Sequence, residues 1–210
     1  VVTTLFGTGT LLDKPAGASG VDTVGVGVTG DNGHMVFFSG HLTNNGLGYN
    51  SGSVYLYQND DWNLITTISS SNDIDDDGGT AFGGIDHSSW YQYGAAHMSG
   101  SRLLVGASRE ESRDASDYSG SAYMFISHSI KGWDNRSRIV DSATGKSGAN
   151  YGSGVVLGDT FYAIGSNNAN TPPDSGGATE GVVYIYDIEE LNGNNHSQIL
   201  SSSLTSSVAF

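Results

Sequence analysis

The sequence predicts an all-β fold built from repeated four-stranded antiparallel sheets, about three of them in this chain. Three observations carry this. Short apolar runs of strand length are separated by glycine-rich turns. No long stretch shows helical periodicity. The text also repeats: the central tyrosines of Ser53–Tyr57, Ser121–Phe125 and Val182–Tyr186 stand at positions 55, 123 and 184, steps of 68 and 61 residues. Repeats of 20–50 residues or a little more mark propellers, solenoids or arrays, and copies of 61–68 residues are long for a blade, with the excess in loops.

Each copy reads as four runs. The first two come as a pair: VGVGVTGDNGHMVFFSG from Val24, YGAAHMSGSRLLVGAS from Tyr93 and YGSGVVLGDTFYAIGS from Tyr151. Each pair holds a short strand, a tight turn, a second strand and an exit of small residues. The third run holds the central tyrosine. The fourth is Leu64–Ile68, Ser137–Val140 and Gln198–Leu200 in turn. Along the third run of copy one, Tyr55 and Tyr57 alternate with Val54 and Leu56. Side chains alternate across a strand, so both faces of the sheet are apolar and both need cover. Radial stacking of sheets as propeller blades provides it. A β-sandwich or β-solenoid with glycine-rich turns is the alternative.

The expected organisation follows the copies. Residues 1–20 are an N-terminal segment, a remnant of a preceding blade; 21–70 are blade 1; 71–90 are an acidic insertion. Residues 91–140 are blade 2, 141–200 are blade 3, and 201–210 link toward a further blade. On this reading three blades form a partial ring or part of a larger propeller. Trp62 and Trp133 are expected just before the fourth strands of copies one and two.

The middle copy resembles the FG-GAP repeat. The resemblance rests on aromatic-Gly, a hairpin, Val105-Gly106-Ala107 and then Gly120-Ser121-Ala122-Tyr123. Copy one adds Val24-Gly25 and Ser39-Gly40, and copy three adds Tyr151-Gly152 and Gly165-Ser166. The resemblance covers about Val24 to Leu200. It implies the β-propeller of integrin-alpha-like proteins and a non-enzymatic role: protein–protein or glycan binding in adhesion or assembly. The family's calcium loops lie inside the first hairpin, which is short in all three copies here, so those sites do not carry over.

Composition bounds the function. The 210 residues carry 22 acidic and 8 basic side chains, a formal net charge of −14. That balance argues against nucleic acid, whose phosphates need Lys and Arg, and against anionic lipid. It allows cations and basic partners. No disulfide can form, because there is no cysteine. No run is long and apolar enough for a transmembrane segment. The start, Val1-Val2-Thr3-Thr4, has neither a charged leader nor an initiator Met, which suggests a processed N-terminus. The sequons at Asn135 and Asn195 are glycosylation candidates. Together these suggest a secreted, cell-surface or lumenal protein.

Asp73, Asp75 and Asp77 precede Gly78, and alternating carboxylates before a glycine can wrap calcium. The position twelve residues along such a loop is Gly84 rather than Glu, so a solvated acidic loop is the competing account. The connections between second and third strands are long: Gly40–Gly52, Ser108–Gly120 and Ser166–Gly181. By the repeat they share one face, where binding usually resides. Arg109, Glu110, Glu111, Arg113 and Asp114 in the middle connection, and Asp174 in the third, are the binding-loop candidates. The six histidines show no metal spacing and are expected to be structural or superficial. No nucleophile elbow, phosphate loop or cysteine nucleophile is present. Two further readings stand beside adhesion. One is an extrinsic structural subunit that braces a larger membrane or filament assembly, with other copies or subunits completing the propeller. The other is a polysaccharide-active enzyme or its accessory module, which would need a pair of acids facing one cleft.

Overall fold

A computed structural model of the chain describes residues 24–30, 34–39, 53–58, 63–68, 82–83, 95–110, 119–128, 132–139, 150–167 and 181–188. These residues form eleven strands in three antiparallel sheets. The first sheet contains β1 (Val24–Gly30), β2 (His34–Ser39), β3 (Val54–Gln58) and β4 (Leu64–Ile68), side by side in chain order. The second contains β5 (Ala96–Ser99), β6 (Arg102–Ala107), β7 (Ser121–His128) and β8 (Gly132–Ile139), again in chain order. The third contains β9 (Tyr151–Leu157), β10 (Phe161–Ser166) and β11 (Val182–Asp187), with β10 in the middle. Its expected fourth strand, Gln198–Leu200, lies outside the described residues.

Alternation of side chains decides how the sheets stack. On β7, Tyr123 and Phe125 point to one side, together with Leu103, Val105 and Ala107 of β6. They share a core with Val54, Leu56 and Ile68 of the first sheet. Ala122 and Met124 point to the other side, with Leu104 and Ile139. These share a second core with Tyr151, Tyr162, Ile164, Tyr184 and Tyr186 of the third sheet. The second sheet is therefore buried on both faces. Each large side chain so covered contributes about 1.5–3 kcal/mol.

The cores obey one polarity. The backbone registers Val105 opposite Tyr123 and Ile164 opposite Tyr184, so these positions correspond between the sheets. The tyrosine face of one sheet meets the aliphatic face of the sheet before it. Tyr123 thus shares a core with Leu56, and Tyr184 with Met124. The aromatic rings interlock. Tyr162 stacks on Tyr186 with centroids 4.8 Å apart, and Tyr151 meets Tyr184 edge-on at 5.4 Å. The Tyr151 and Tyr186 hydroxyls are 2.5 Å apart and hydrogen-bonded. On β3, both the Val54/Leu56 side and the Tyr55/Tyr57 side are buried, as the alternation required.

Glycine sets the spacing between the second and third sheets. A Cβ on Gly106 of β6 would run into the carbonyl oxygen of Gly152 in β9. A Cβ on Gly152, whose φ is +90°, would run into the Ser121 carbonyl. The backbones touch where both residues lack a side chain. Gly120 pairs with Tyr151 in an isolated parallel bridge, and the Tyr151 N–H donates to the Ser119 carbonyl at 2.9 Å.

One expectation is corrected. The fourth strand of copy two starts five residues early, at Gly132, because β7 runs on to His128 and closes a tight hairpin there. Trp133 therefore lies within β8, buried in the first core, and Asn135 is a strand residue opposite Ile126. Phe82-Gly83 is an aromatic-glycine pair set against β6, while Tyr93-Gly94, the expected start of copy two, lies outside the described residues. Phe82 bridges to Ala107 as Tyr151 pairs with the corresponding Ser166. It is fully buried, with its ring edge-on to Tyr123 and Phe125 at 5.6 and 6.1 Å. Gly83 and Ala95 flank residues 84–94, which lie outside the described residues. Gly106 clasps both ends: its carbonyl accepts from Gly83 at 2.8 Å, and its N–H donates to the Ala95 carbonyl at 2.7 Å. So Phe82 and Gly83, inside the expected 71–90 insertion, bond to β6 of the second sheet.

Candidate functional site

The connection from β6 to β7 is the best-defined of the expected binding loops, because backbone bonds tie its two ends together. Ser108, Arg109 and Glu110 leave β6, and Ser119 and Gly120 enter β7. The neck is closed by backbone bonds. The Glu110 N–H donates to the Ala107 carbonyl at 3.1 Å, and the Gly120 N–H donates to the Glu110 carbonyl at 2.9 Å. Gly120 adopts φ +83°, a left-handed conformation that suits glycine at the return into the strand.

Glu110 is the principal finding here. It belonged to the charged run expected to face a partner, yet its exposure is 0%. One carboxylate oxygen accepts from the Ser121 hydroxyl. The other accepts from the Tyr123 hydroxyl at 2.5 Å. Ser121 and Tyr123 are two residues apart on β7, so their hydroxyls stand side by side on one face. A carboxylate removed from water needs hydrogen-bond donors, and β7 supplies a matched pair. Glu110 is therefore removed from the binding-loop candidates, since no group on an outside partner reaches it. Its side chain holds the neck of the loop to the sheet. Charge and position in a polar run gave no warning of this. The repeat gives no warning either: copy one keeps both hydroxyls, at Ser53 and Tyr55, with Leu42 in place of Glu110, and copy three keeps Tyr184 with Ala169 in place of the acid.

Arg109, the neighbouring candidate, is half-buried and engaged in further interactions. The Ser108 hydroxyl is buried without a hydrogen-bond partner. Glu111, Arg113, Asp114 and Asp174 lie outside the described residues, as do Asp73, Asp75, Asp77 and Asn195. Among the described residues no three His, Cys, Asp or Glu side chains come together as a metal group.

At the opposite end of the same sheets, polar contacts join the second and third. The Leu157 N–H donates to Nδ1 of His97 at 3.0 Å. The Ser99 hydroxyl donates to Asp159 at 3.3 Å, turn against turn. His97 thus acts as a structural acceptor between sheets.

No protein-family model matches the chain, and no curated protein matches it. Among the described residues no helix is long and apolar enough to cross a membrane.

Proposed function

We propose that the chain is part of an FG-GAP-like β-propeller that binds protein or glycan through its loop face, in adhesion or assembly, without catalysis. The observation that carries this reading is the repeated polarity of stacking, tyrosine face on aliphatic face, through three successive antiparallel sheets. A stack with one polarity places equivalent connections at equivalent positions. A rigid scaffold that gathers loops in this way is a common basis for recognition. The anchored neck at Glu110 supports the reading, because a loop fixed at its base loses less entropy on binding. The proposed setting is secreted or at the cell surface, with Asn135 and Asn195 as glycan acceptors.

The test is a binding screen of the chain against extracellular proteins and glycans. It is repeated with Arg109, Arg113 and Asp114 all changed to Ser and Glu110 left in place. The triple variant is expected to lose about tenfold or more in affinity, roughly 1.4 kcal/mol. Binding that is unchanged for every ligand would exclude the loop face. Calcium at Asp73, Asp75 and Asp77 is tested separately. A bound ion must raise stability by linkage, so a melting temperature that a chelator does not move removes that site.

A second reading, a structural subunit bracing a larger assembly, is favoured by one observation. The outward face of the third sheet exposes Val156, Phe161, Val183 and Ile185.

A further inference from the structure

The outer strands of the first two sheets meet their surroundings in different ways. β4 and β8 hold equivalent places, each the fourth and last strand of its sheet. Each has a bulge near its hairpin, where the register shifts at Leu56/Tyr57 and at Ile126/His128. Bulges and charged side chains are two ways in which a sheet edge is kept from pairing with another chain. β8 has both, since Asp134, Arg136 and Arg138 lie along it. β4 has the bulge alone. Leu64–Ile68 carries no charge, and four of its five residues are β-branched. Leu64 is 38% exposed and Ile65 42%, and Thr67 is exposed as well.

The backbone of β4 offers a further strand its bonding groups. The Gln58 N–H donates to the Asn63 carbonyl at 3.0 Å, which makes these two a hydrogen-bonded pair beside the hairpin turn. Bonded and non-bonded pairs alternate along an antiparallel ladder. Tyr57 with Leu64 and, beyond the extra residue Ile65, Tyr55 with Thr67 are therefore the non-bonded pairs. The N–H and C=O groups of Leu64 and Thr67 point away from β3, out of the sheet edge. The Thr67 carbonyl accepts from the exposed Thr66 hydroxyl at 3.5 Å, a long bond. Among the described residues no strand pairs with this edge.

We infer that the outer edge of β4 is a docking site for an extended segment of another protein, added to the first sheet as a fifth strand. Main-chain bonds at Leu64 and Thr67 supply the affinity, and the exposed Leu64 and Ile65 side chains select apolar or β-branched residues at alternate positions of the partner. A second copy of the chain fits this edge less well. Each copy carries a formal net charge of −14, so edge-to-edge pairing of two copies brings like fields together. A segment flanked by Lys or Arg is drawn to the same edge. The occupant is therefore an extended, β-branched segment with basic flanks.

The probe is a blocked nine-residue peptide, five alternating valines and threonines with two lysines at each end. It is titrated into the isotope-labelled chain, and backbone amides are followed by NMR and hydrogen exchange. The Leu64 and Thr67 amides are expected to exchange freely in the chain alone. They are expected to shift to saturation with peptide and to gain about tenfold or more in protection. A peptide analogue N-methylated at alternate residues keeps the charge and the side chains but lacks the donors. It is expected to bind at least about tenfold more weakly. Thr67→Pro removes an outward N–H at a strand edge, where proline is tolerated, and is expected to lose the peptide. Ile65→Lys with Thr67→Lys changes only exposed side chains. This pair is expected to keep the parent's urea midpoint and also to lose the peptide, so the test stands if the proline variant does not fold.

Leu64 and Thr67 amides already protected in the chain alone overturn the inference, because the chain then covers its own edge. Signals that the peptide leaves unmoved at millimolar concentration overturn it too. So does an N-methylated analogue that binds as well as the parent peptide, since charge alone would then hold it. A dimer in sedimentation that Ile65→Lys with Thr67→Lys dissociates overturns it in favour of a second copy. None of these results depends on the ligand screen, so failure of loop-face binding is distinguishable from failure of strand docking.

Discussion

Replacing Glu110 with Ala deletes the acceptor of two buried hydroxyl groups and leaves both donors inside the protein. Ser121 is fully buried and Tyr123 is 2% exposed, so water does not replace the carboxylate without a rearrangement. Each orphaned donor costs about 1–3 kcal/mol, so the substitution is expected to destabilise the chain by roughly 2–6 kcal/mol. That is a large share of the roughly 5–15 kcal/mol by which domains are stable. Glu110→Gln separates charge from shape. The amide oxygen keeps one donor, and the amide N–H can serve the other hydroxyl. Charge-assisted bonds of about 1.5–3 kcal/mol become neutral ones of about 0.5–1.5 kcal/mol, so this variant should lose less than the alanine. The assay is urea denaturation with linear extrapolation, read at unchanged m. A cycle of Glu110→Gln with Tyr123→Phe should show coupling of at least about 0.5 kcal/mol. If Glu110→Ala fell within about 0.5 kcal/mol of the parent, as exposed substitutions do, the latch at the loop neck would be refuted.

Three further predictions follow from the packing. Gly152→Ala adds a Cβ against the Ser121 carbonyl at a residue with φ +90°, and overpacking together with backbone strain should cost about 2 kcal/mol or more in the same assay. Met124→Ala should cost about 2–5 kcal/mol, whereas Ile185→Ala at the corresponding exposed position should cost much less. Equal losses would contradict the open outer face. Burial raises the pKa of Tyr57 above its ordinary value of 10.0. Its neutral form is therefore favoured in the fold, its contribution is fully present below about pH 10, and stability falls as pH rises through the folded pKa. Tyr57→Phe should flatten the alkaline limb of the stability–pH profile, and an unchanged limb would assign that loss to other groups.

Much of the fold was legible in the text of the chain. Val54-Tyr55-Leu56-Tyr57 alternates at period two with both sets apolar, and that pattern alone requires a sheet covered on both sides. The repeat of that run at positions 123 and 184 determined that the sheets recur, because similar sequences meet similar packing demands. The sequence did not show which aromatic-glycine pair starts copy two. Tyr93-Gly94 and Phe82-Gly83 are chemically equivalent on paper, and the bridge from Phe82 to Ala107 shows that Phe82-Gly83 lies against β6. Nor did it show the burial of Glu110. A carboxylate is exposed by default, and its cost of burial is offset only by Ser121 and Tyr123, eleven and thirteen residues away. Local pattern determined which faces need cover. The tertiary structure decided what covers each one, because cover depends on the registers that bring distant residues together.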